Sequence, residues 1–264
     1  MKKYWTYFIT TLKLNTAYKA DFLLSLFIDT IFFFISFALW KVIYKEGSID
    51  MISSYSLRDT ITYFFVTSIL FRLEVSGSIY LGWQIWSGYF TNDLIKPWSI
   101  TVISILDTIG EKFFVFSLYI PVSVVIYISA HDYISLPQLP NFLMFVITVM
   151  LAFFMLIAFN LIFHAMTFRF GDQDANIELF NYTALFLAGS FFPLAFLPGN
   201  LGVIFRLLPF KNIFFVPIEI FLGKMNPDQI YRSWFEIIVW TIIFYCIYRI
   251  VYKKGIRLYT GTGR

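Results

Sequence analysis

Long apolar runs alternate with short polar stretches along almost the whole of this 264-residue chain. A membrane-spanning helix needs about 20 mostly apolar residues, because the hydrocarbon core is about 30 Å thick and a helix rises about 1.5 Å per residue. Six runs meet this requirement, at residues 22–44, 60–78, 111–129, 141–168, 179–197 and 234–252. The pattern predicts a single all-α integral membrane domain, 1–264, with six transmembrane helices.

Residues 1–20 follow a different pattern from these spans. Apolar side chains recur at helical spacing on one face, at Met1, Trp5, Phe8, Ile9 and Leu12. The lysines Lys2 and Lys13 lie off that face. This predicts an amphipathic helix that lies in the membrane interface, where its lysines meet anionic lipid. The alternative is a positively charged flank without a fixed helix.

The segment between the last two spans, residues 198–227, is apolar but interrupted. Charged residues and prolines interrupt it, so neither half is long enough to cross the membrane. The interrupting residues are Arg206, Pro209, Lys211, Pro217 and Glu219. We expect two short re-entrant helices that dip into the outer leaflet and pack on protein, where their broken backbone can be satisfied. The alternative is a hydrophobic loop folded over the bundle.

The stretch from Tyr80 to Ile100, called the 80–100 loop below, is too polar and too broken to span a membrane. Three tryptophans bracket it, two glycines loosen it, and Pro97 ends the helix it contains because proline lacks a backbone donor. Its polar residues are Asn92, Asp93 and Lys96. We predict a short cytoplasmic helix through which a partner pushes on the spans, with these three residues facing that partner.

The Lys and Arg residues orient the chain. If the N-terminus is inside the cell, thirteen of the twenty fall on the cytoplasmic side and seven outside. Cytoplasmic segments carry the excess of positive charge. We therefore expect a multi-pass protein of the cell membrane with the 80–100 loop and both termini in the cytoplasm.

Composition agrees with a membrane protein and narrows the function classes. Charged residues make up 14% of the chain, against about 25% in soluble domains. We expect no signal peptide and no nucleic-acid partner. Cys246 alone forms no disulfide framework, and with only two histidines we expect no metal site. The ATP-binding loop motif and the usual hydrolase motifs are missing, so we expect no catalytic residues and no cofactor in this chain.

Polar residues inside spans are costly and suggest a pathway or gate. The candidates are Asp29 in the first span, Arg72 and Glu74 at the end of the second, and Asn160, His164 and Thr167 on one face of the fourth. For each, a structural role stays open. Asp29 can pair inside the bundle, and the Asn160 face can bond to a neighbouring helix. Arg72 and Glu74 can form an ion pair at an inner gate or simply extend to the interface.

Three short motifs occur in a specific order. The first is Trp86-Ser-Gly88 followed by Leu94 and Pro97. The second runs from Gly189 through Phe192-Pro193 and Leu194 to Pro198. The third is the tail with Gly255, Tyr259 and Gly261. Together with the six spans, this order resembles the type-2 ABC transporter permeases that lack a fused ATPase. The resemblance covers essentially the whole chain, although each motif is short.

The resemblance implies an export-type permease subunit. Two such subunits, identical or related, enclose a path for a drug, natural product, lipid or polysaccharide. Each sits on a separate nucleotide-binding subunit that holds ATP and Mg²⁺. The 80–100 loop matches the coupling helix, so Trp86, Gly88, Asn92, Asp93 and Lys96 are the predicted coupling residues. Phe192 joins the candidate gate residues.

Two other classes remain open from sequence alone. A secondary transporter or channel works without an ATPase, and Asp29 and His164 are its candidate midplane residues. A membrane enzyme or scaffold is the third class, with Ser190 and His164 as the residues to test.

Overall fold

The computed structural model describes residues 2–16, 19–47, 50–74, 80–171 and 174–261; within these ranges, the side chains of residues 15, 19–25, 29, 73–74 and 174–180 are outside the description. The described chain is helical, and its one β-type pairing is an isolated bridge between Ile52 and Tyr55. Its α-helices are α1 Lys2–Asn15, α2 Lys19–Glu46, α3 Leu57–Glu74, α4 Tyr80–Trp86, α5 Phe90–Leu94, α6 Ile100–Ala130, α7 Leu139–Phe170, α8 Asp174–Ala188, α9 Gly199–Leu207, α10 Phe215–Phe221 and α11 Pro227–Gly255.

Four segments of the described chain are long and apolar enough to cross a membrane: Leu26–Glu46, Ile100–Tyr133, Leu139–Phe170 and Pro227–Gly255. The pair Gly199–Leu207 and Pro209–Phe221 passes the same test jointly, with a bend of 73° between its halves. The other two predicted spans are α3, with 18 residues and two charges in its last turn, and α8, with 15 residues. A chain with four or five such helices is observed, and the count of six stays a prediction.

Contacts between helices establish their directions. Near the end of α2, the Tyr44 hydroxyl lies 2.8 Å from the Thr60 hydroxyl near the start of α3. The backbone N–H of Ser135, just after α6, donates to Thr62 Oγ1 at 2.8 Å. α2 and α3 are therefore antiparallel, and so are α3 and α6. The start of α3 lies at the same end of the bundle as the end of α6.

The centre of the bundle is the packing of α7 against α11. Trp234 Nε1 donates to Thr148 Oγ1 at 2.7 Å, and the rings of Phe168 and Tyr252 meet with their centroids 5.8 Å apart. Both contacts advance in the same direction along the two helices, so α7 and α11 run parallel. The chain must therefore return across the bundle between residues 170 and 227, whatever the depth of α8 to α10 in the membrane.

α8 ends at Gly189, a position at which any other residue would be strained. Gly189 has φ +86°, and a Cβ built there would lie 2.9 Å from Leu194 Cγ. Its carbonyl accepts a hydrogen bond of 2.7 Å from the buried Tyr63 hydroxyl of α3. The sequence after this turn forms α9 and α10, the two short helices expected in residues 198–227. Their re-entrant position in the membrane stays a prediction.

A charged network holds this segment to the α2–α3 connection. Lys224, just after α10, lies 3.0 Å from Asp59 Oδ2 and donates to the Ser54 carbonyl at 2.7 Å. Its ammonium group also lies 4.4 Å from the centre of the Tyr55 ring. The Tyr55 hydroxyl in turn donates to Glu219 of α10. We call these side chains the Lys224 network; they occupy the end of the bundle opposite the 80–100 loop.

α1 packs lengthwise on the first turns of α6. The hydroxyls of Tyr7 and Thr11 donate to Asp107 Oδ1 at 3.1 and 3.3 Å. Thr11 is buried against Gly110, whereas Trp5 is 66% exposed. A helix is present where one was predicted, but polar groups take part in its contact with protein. Its placement in the membrane interface stays a prediction.

Candidate functional site

The 80–100 loop folds into two short helices, α4 and α5, joined at Gly88. The left-handed backbone of Gly88, with φ +82°, turns the chain between them. Trp83 and Tyr89 stack across this turn with ring centroids 5.5 Å apart. Because Pro97 offers no backbone donor, the chain leaves helical structure before α6 begins at Ile100. The result is a compact hairpin at one end of the bundle.

Asp93 closes the hairpin from inside. Its side chain is only 2% exposed. The Tyr80 hydroxyl donates to Oδ2 at 3.0 Å, and Lys96 Nζ lies 3.1 Å from Oδ1. Burial, followed by the charge of the Asp93 carboxylate, raises the pKa of Tyr80 above its usual value, so its hydroxyl remains a donor. The carboxylate therefore joins the start of α4 to the end of α5.

This arrangement corrects one expectation about the loop. Asn92 and Lys96 are exposed, as a partner contact requires, but Asp93 is buried with Tyr80 and Lys96 around it. An aspartate in a polar loop is expected outside, and the tyrosine that holds it is 13 positions away. Asp93 maintains the shape of the loop, and the coupling role of all three residues stays a prediction.

The N-terminal helix holds the second half of the loop. Lys3 Nζ donates to the Pro97 carbonyl, and the Ser99 N–H donates to the Tyr4 hydroxyl at 3.2 Å. The Tyr7 ring meets Trp98 edge-on at a centroid distance of 6.0 Å. α1 thus connects the loop to α6 from the outside.

The C-terminal tail holds the first half of the loop. The Tyr259 hydroxyl donates to the Gly88 carbonyl at 3.0 Å and lies 3.3 Å from Thr91 Oγ1. Its ring packs edge-on against Phe90, with a centroid distance of 5.2 Å, and against Phe168 at the end of α7, at 5.8 Å. The loop is thereby joined to both central helices, α7 and α11.

Gly255 permits this junction. A Cβ at this position would lie 2.6 Å from Phe168 Cδ2 and 2.8 Å from Phe168 Cβ. Those distances are below any normal carbon contact, so a larger residue would push α11 away from α7. Close packing of α11 against Phe168 therefore explains why the tail motif has a glycine at position 255.

The loop also exposes large apolar side chains, and Tyr89 and Ile95 among them were not predicted as coupling residues. Ile95 is 82% exposed, Tyr89 55% and Leu94 50%. Trp86 is also about half exposed. Large apolar side chains exposed on a polar loop indicate a candidate binding surface. The available signal was the presence of Leu94 and Ile95 within an otherwise polar stretch. We call Tyr89, Leu94 and Ile95 the exposed tip.

The candidate pathway residues of α7 lie together in the interior. Asn160, His164 and Thr167 are each at most 4% exposed. Asn160 Oδ1, both ring nitrogens of His164 and Thr167 Oγ1 have no hydrogen-bond partner within the described chain. Buried polar groups are almost always satisfied, so this face is a candidate position for water or another ligand.

The other candidate gate residues are dispersed. Arg72 is half-buried in the last turn of α3, and Phe192 lies after α8 with its ring edge-on to Phe186 at 5.7 Å. The side chains of Asp29 and Glu74 lie outside the described residues. Among the described side chains, no group of three or more His, Cys, Asp or Glu residues is placed to hold a metal ion.

Comparisons with known proteins agree with the sequence motifs. The model of a family described as "ABC-2 family transporter protein" matches residues 30–263. The match includes the 80–100 loop, the Gly189 turn and most of the tail. A search of curated proteins found no match. The resemblance to type-2 ABC permeases is thus confirmed: the chain belongs to the ABC-2 transporter family and is a membrane subunit of an ABC transporter.

Proposed function

We propose that this chain is the permease subunit of an ATP-driven exporter and that the exposed tip of the 80–100 loop docks on a separate nucleotide-binding subunit. The observation that carries this proposal is the contrast between the two sides of the loop. Its inward side is held by Asp93, Tyr259 and α1, while Ile95 at its tip is 82% exposed. A loop so constructed has one side for the bundle and one for a partner.

The inward contacts supply the route for mechanical coupling. A partner that displaces the tip also displaces Gly88 and Phe90, which touch Tyr259 and Phe168. Those residues belong to the ends of α11 and α7. ATP binding and hydrolysis in the partner, which would hold ATP and Mg²⁺, then favour one of two arrangements of the central helices.

The helix directions support six crossings in this function. α2, α3, α6 and α7 alternate, α11 runs parallel to α7, and the chain between them must return. α3 and α8 would then be crossings of about 27 and 22 Å, with the segment around α9 and α10 re-entrant on the outer side. The 80–100 loop and both terminal elements meet at one end, and the Lys and Arg excess supports a cytoplasmic position for that end.

A second permease copy, identical or related, would complete the path in the cell membrane. The polar face of Asn160 and His164 is our candidate for the path interior. The Lys224 network and Phe192 lie toward the opposite end and are candidates for the exit. The substrate classes remain those of exporters of this type: a drug, a natural product, a lipid or a polysaccharide.

The test is co-purification of the nucleotide-binding subunit with the full chain in mild detergent. Ile95→Asp should reduce the retained ATPase about thirtyfold, the size of a central interface contact worth about 2 kcal/mol. Met51→Asp is the matched control, because Met51 is 59% exposed at the other end of the bundle. Equal retention by the two variants would contradict the docking assignment. Proton-driven transport by the isolated chain, without nucleotide, would establish a secondary transporter instead.

A further inference from the structure

A cavity lies beside the 80–100 loop. It has a volume of about 560 Å³ and opens between the loop, the start of α6 and the end of α11. The loop contributes Leu94 and Trp98, and α11 contributes Arg249 and Lys253. The hydroxyls of Thr101 and Tyr248, 2.7 Å apart, join α6 to α11 beside it.

The charge of this cavity is positive. Arg249 and Lys253 are four residues apart and so lie on one face of α11. Both side chains are exposed, and neither forms a salt bridge or a hydrogen bond within the described chain. Asp93 is the acidic residue of the lining, and Lys96 already neutralises it at 3.1 Å. Two uncompensated cations therefore remain.

Other features of the lining suit the headgroup of a lipid. Trp98 and Ser99 line the cavity between the loop and α6, and their types can offer hydrogen-bond donors to a headgroup. Part of the wall is apolar, including Ile100, Ile250 and Ile256. Ile250 is 56% exposed next to Arg249, as expected for a side chain that faces acyl chains.

The depth of the two cations also matches a lipid phosphate. α11 has 29 residues and is therefore about 43 Å long, close to the full thickness of a bilayer with its headgroups. Arg249 and Lys253 are about 9 and 3 Å from its end. Their long side chains reach the headgroup layer from there.

We propose that this cavity binds the phosphodiester headgroup of an anionic glycerophospholipid. The Arg249 guanidinium and the Lys253 ammonium hold the phosphate. The planar guanidinium can donate two parallel hydrogen bonds to it, and the ammonium acts as a compact positive charge. The headgroup occupies the space beneath the loop, and the acyl chains extend along Ile250. An acidic segment of a partner protein would use the same charges, but the apolar wall and the depth favour lipid. The site does not depend on an ATPase subunit.

Native mass spectrometry of the purified full chain with short-chain phosphatidylglycerol tests the proposal, with phosphatidylcholine as the neutral comparison. The first phosphatidylglycerol should bind more tightly than phosphatidylcholine. Arg249→Gln with Lys253→Gln should weaken it about thirtyfold, since each cation near an anionic surface contributes about fivefold. Arg249→Lys with Lys253→Arg, which keeps both charges, should retain most of the binding.

The matched control is Lys254→Gln with Arg257→Gln, because it removes the same charge from the same helix end outside the cavity lining. Equal weakening by the two double variants would overturn the proposal in favour of general surface electrostatics. Equal affinity for both lipids would also overturn it. If inorganic phosphate displaces the lipid at similar concentration, the site binds free phosphate instead. If the Arg249 and Lys253 changes release the ATPase subunit but leave lipid binding intact, the surface is a protein contact.

Discussion

The hydroxyl of Tyr259 donates a hydrogen bond to the backbone carbonyl of Gly88, 171 positions earlier in the chain. The contact joins the residue that follows the last helix to the turn between α4 and α5. It makes the tail of the protein a structural part of the 80–100 loop. Tests of the loop must therefore include residues that lie far from it in sequence.

Tyr259→Phe should loosen the loop without unfolding the bundle. The change removes the bonds to Gly88 and Thr91 but keeps the ring against Phe90, so the expected loss is about 1 kcal/mol. Hydrogen exchange at residues 85–95 should become faster, and stimulation of the ATPase should fall. Tyr245→Phe is the control, because Tyr245 is partly exposed on α11 and forms no hydrogen bond in the described chain. Equal exchange in both variants would contradict a role for the tail.

Asp93→Ala should disrupt the loop far more than Asn92→Ala. The first change removes the carboxylate that accepts from Tyr80 and pairs with Lys96, at a cost of about 1–3 kcal/mol. The second removes an exposed side chain and should cost less than about 0.5 kcal/mol. Thermal unfolding in detergent and proteolysis of the loop measure the difference. A larger effect at Asn92 would mean that Asp93 is not the internal brace described above.

Gly255→Ala should separate the ends of α7 and α11. The added methyl group meets Phe168 at 2.6 Å, and overpacking of this kind costs about 1–3 kcal/mol. The melting temperature should fall, and the double variant Gly255→Ala with Phe168→Leu should recover part of the loss because the ring is gone. If the loss of stability in the double variant equals the sum of the losses in the two single variants, Gly255→Ala does not bring the two residues into steric conflict.

Breaking the Lys224 network should loosen the end of the bundle opposite the loop. Lys224→Met removes the salt bridge to Asp59 and the bond to Ser54, with an expected cost of about 1–3 kcal/mol. Asp59→Asn should cost less when Lys224 is already Met, and this non-additivity measures the pair. Lys45→Met, an exposed cation at the same end, should change stability little.

His164→Leu should separate structure from function. The ring is buried, and neither nitrogen has a partner in the described chain, so an apolar replacement should leave stability unchanged or raise it. Transport should fall if the polar face of α7 lines the path. A large drop in melting temperature would show instead that the ring is satisfied through ordered water that the bundle requires.

Features that depend on local sequence patterns could be predicted from the sequence. Apolar run length predicted the long helices, and the order of short motifs predicted the family. It placed Gly88, Gly189 and Gly255 in motifs, and the structure shows a turn or a close contact at each. It also predicted that residues 80–100 form a separate element.

Pairings between distant residues were not predictable in this way. Asp93 is bonded to Tyr80, 13 positions earlier, and the link between Lys224 and Asp59 spans 165 positions. Hydrophobic periodicity carries no information about such partners, because it reports which face of a helix is buried and not what covers it. The end of α8 depends on a distant residue in the same way, because the Tyr63 hydroxyl of α3 donates to the Gly189 carbonyl.

The contact between Tyr259 and Gly88 has a consequence for the order of events during synthesis. At the usual rates of elongation, roughly 10 to 30 s separate the appearance of these two residues at the ribosome. Throughout that interval the loop lacks its tail contacts, while α7 and α11 are still being made. The loop can therefore take its final, tail-bound form only after residue 259 has been made.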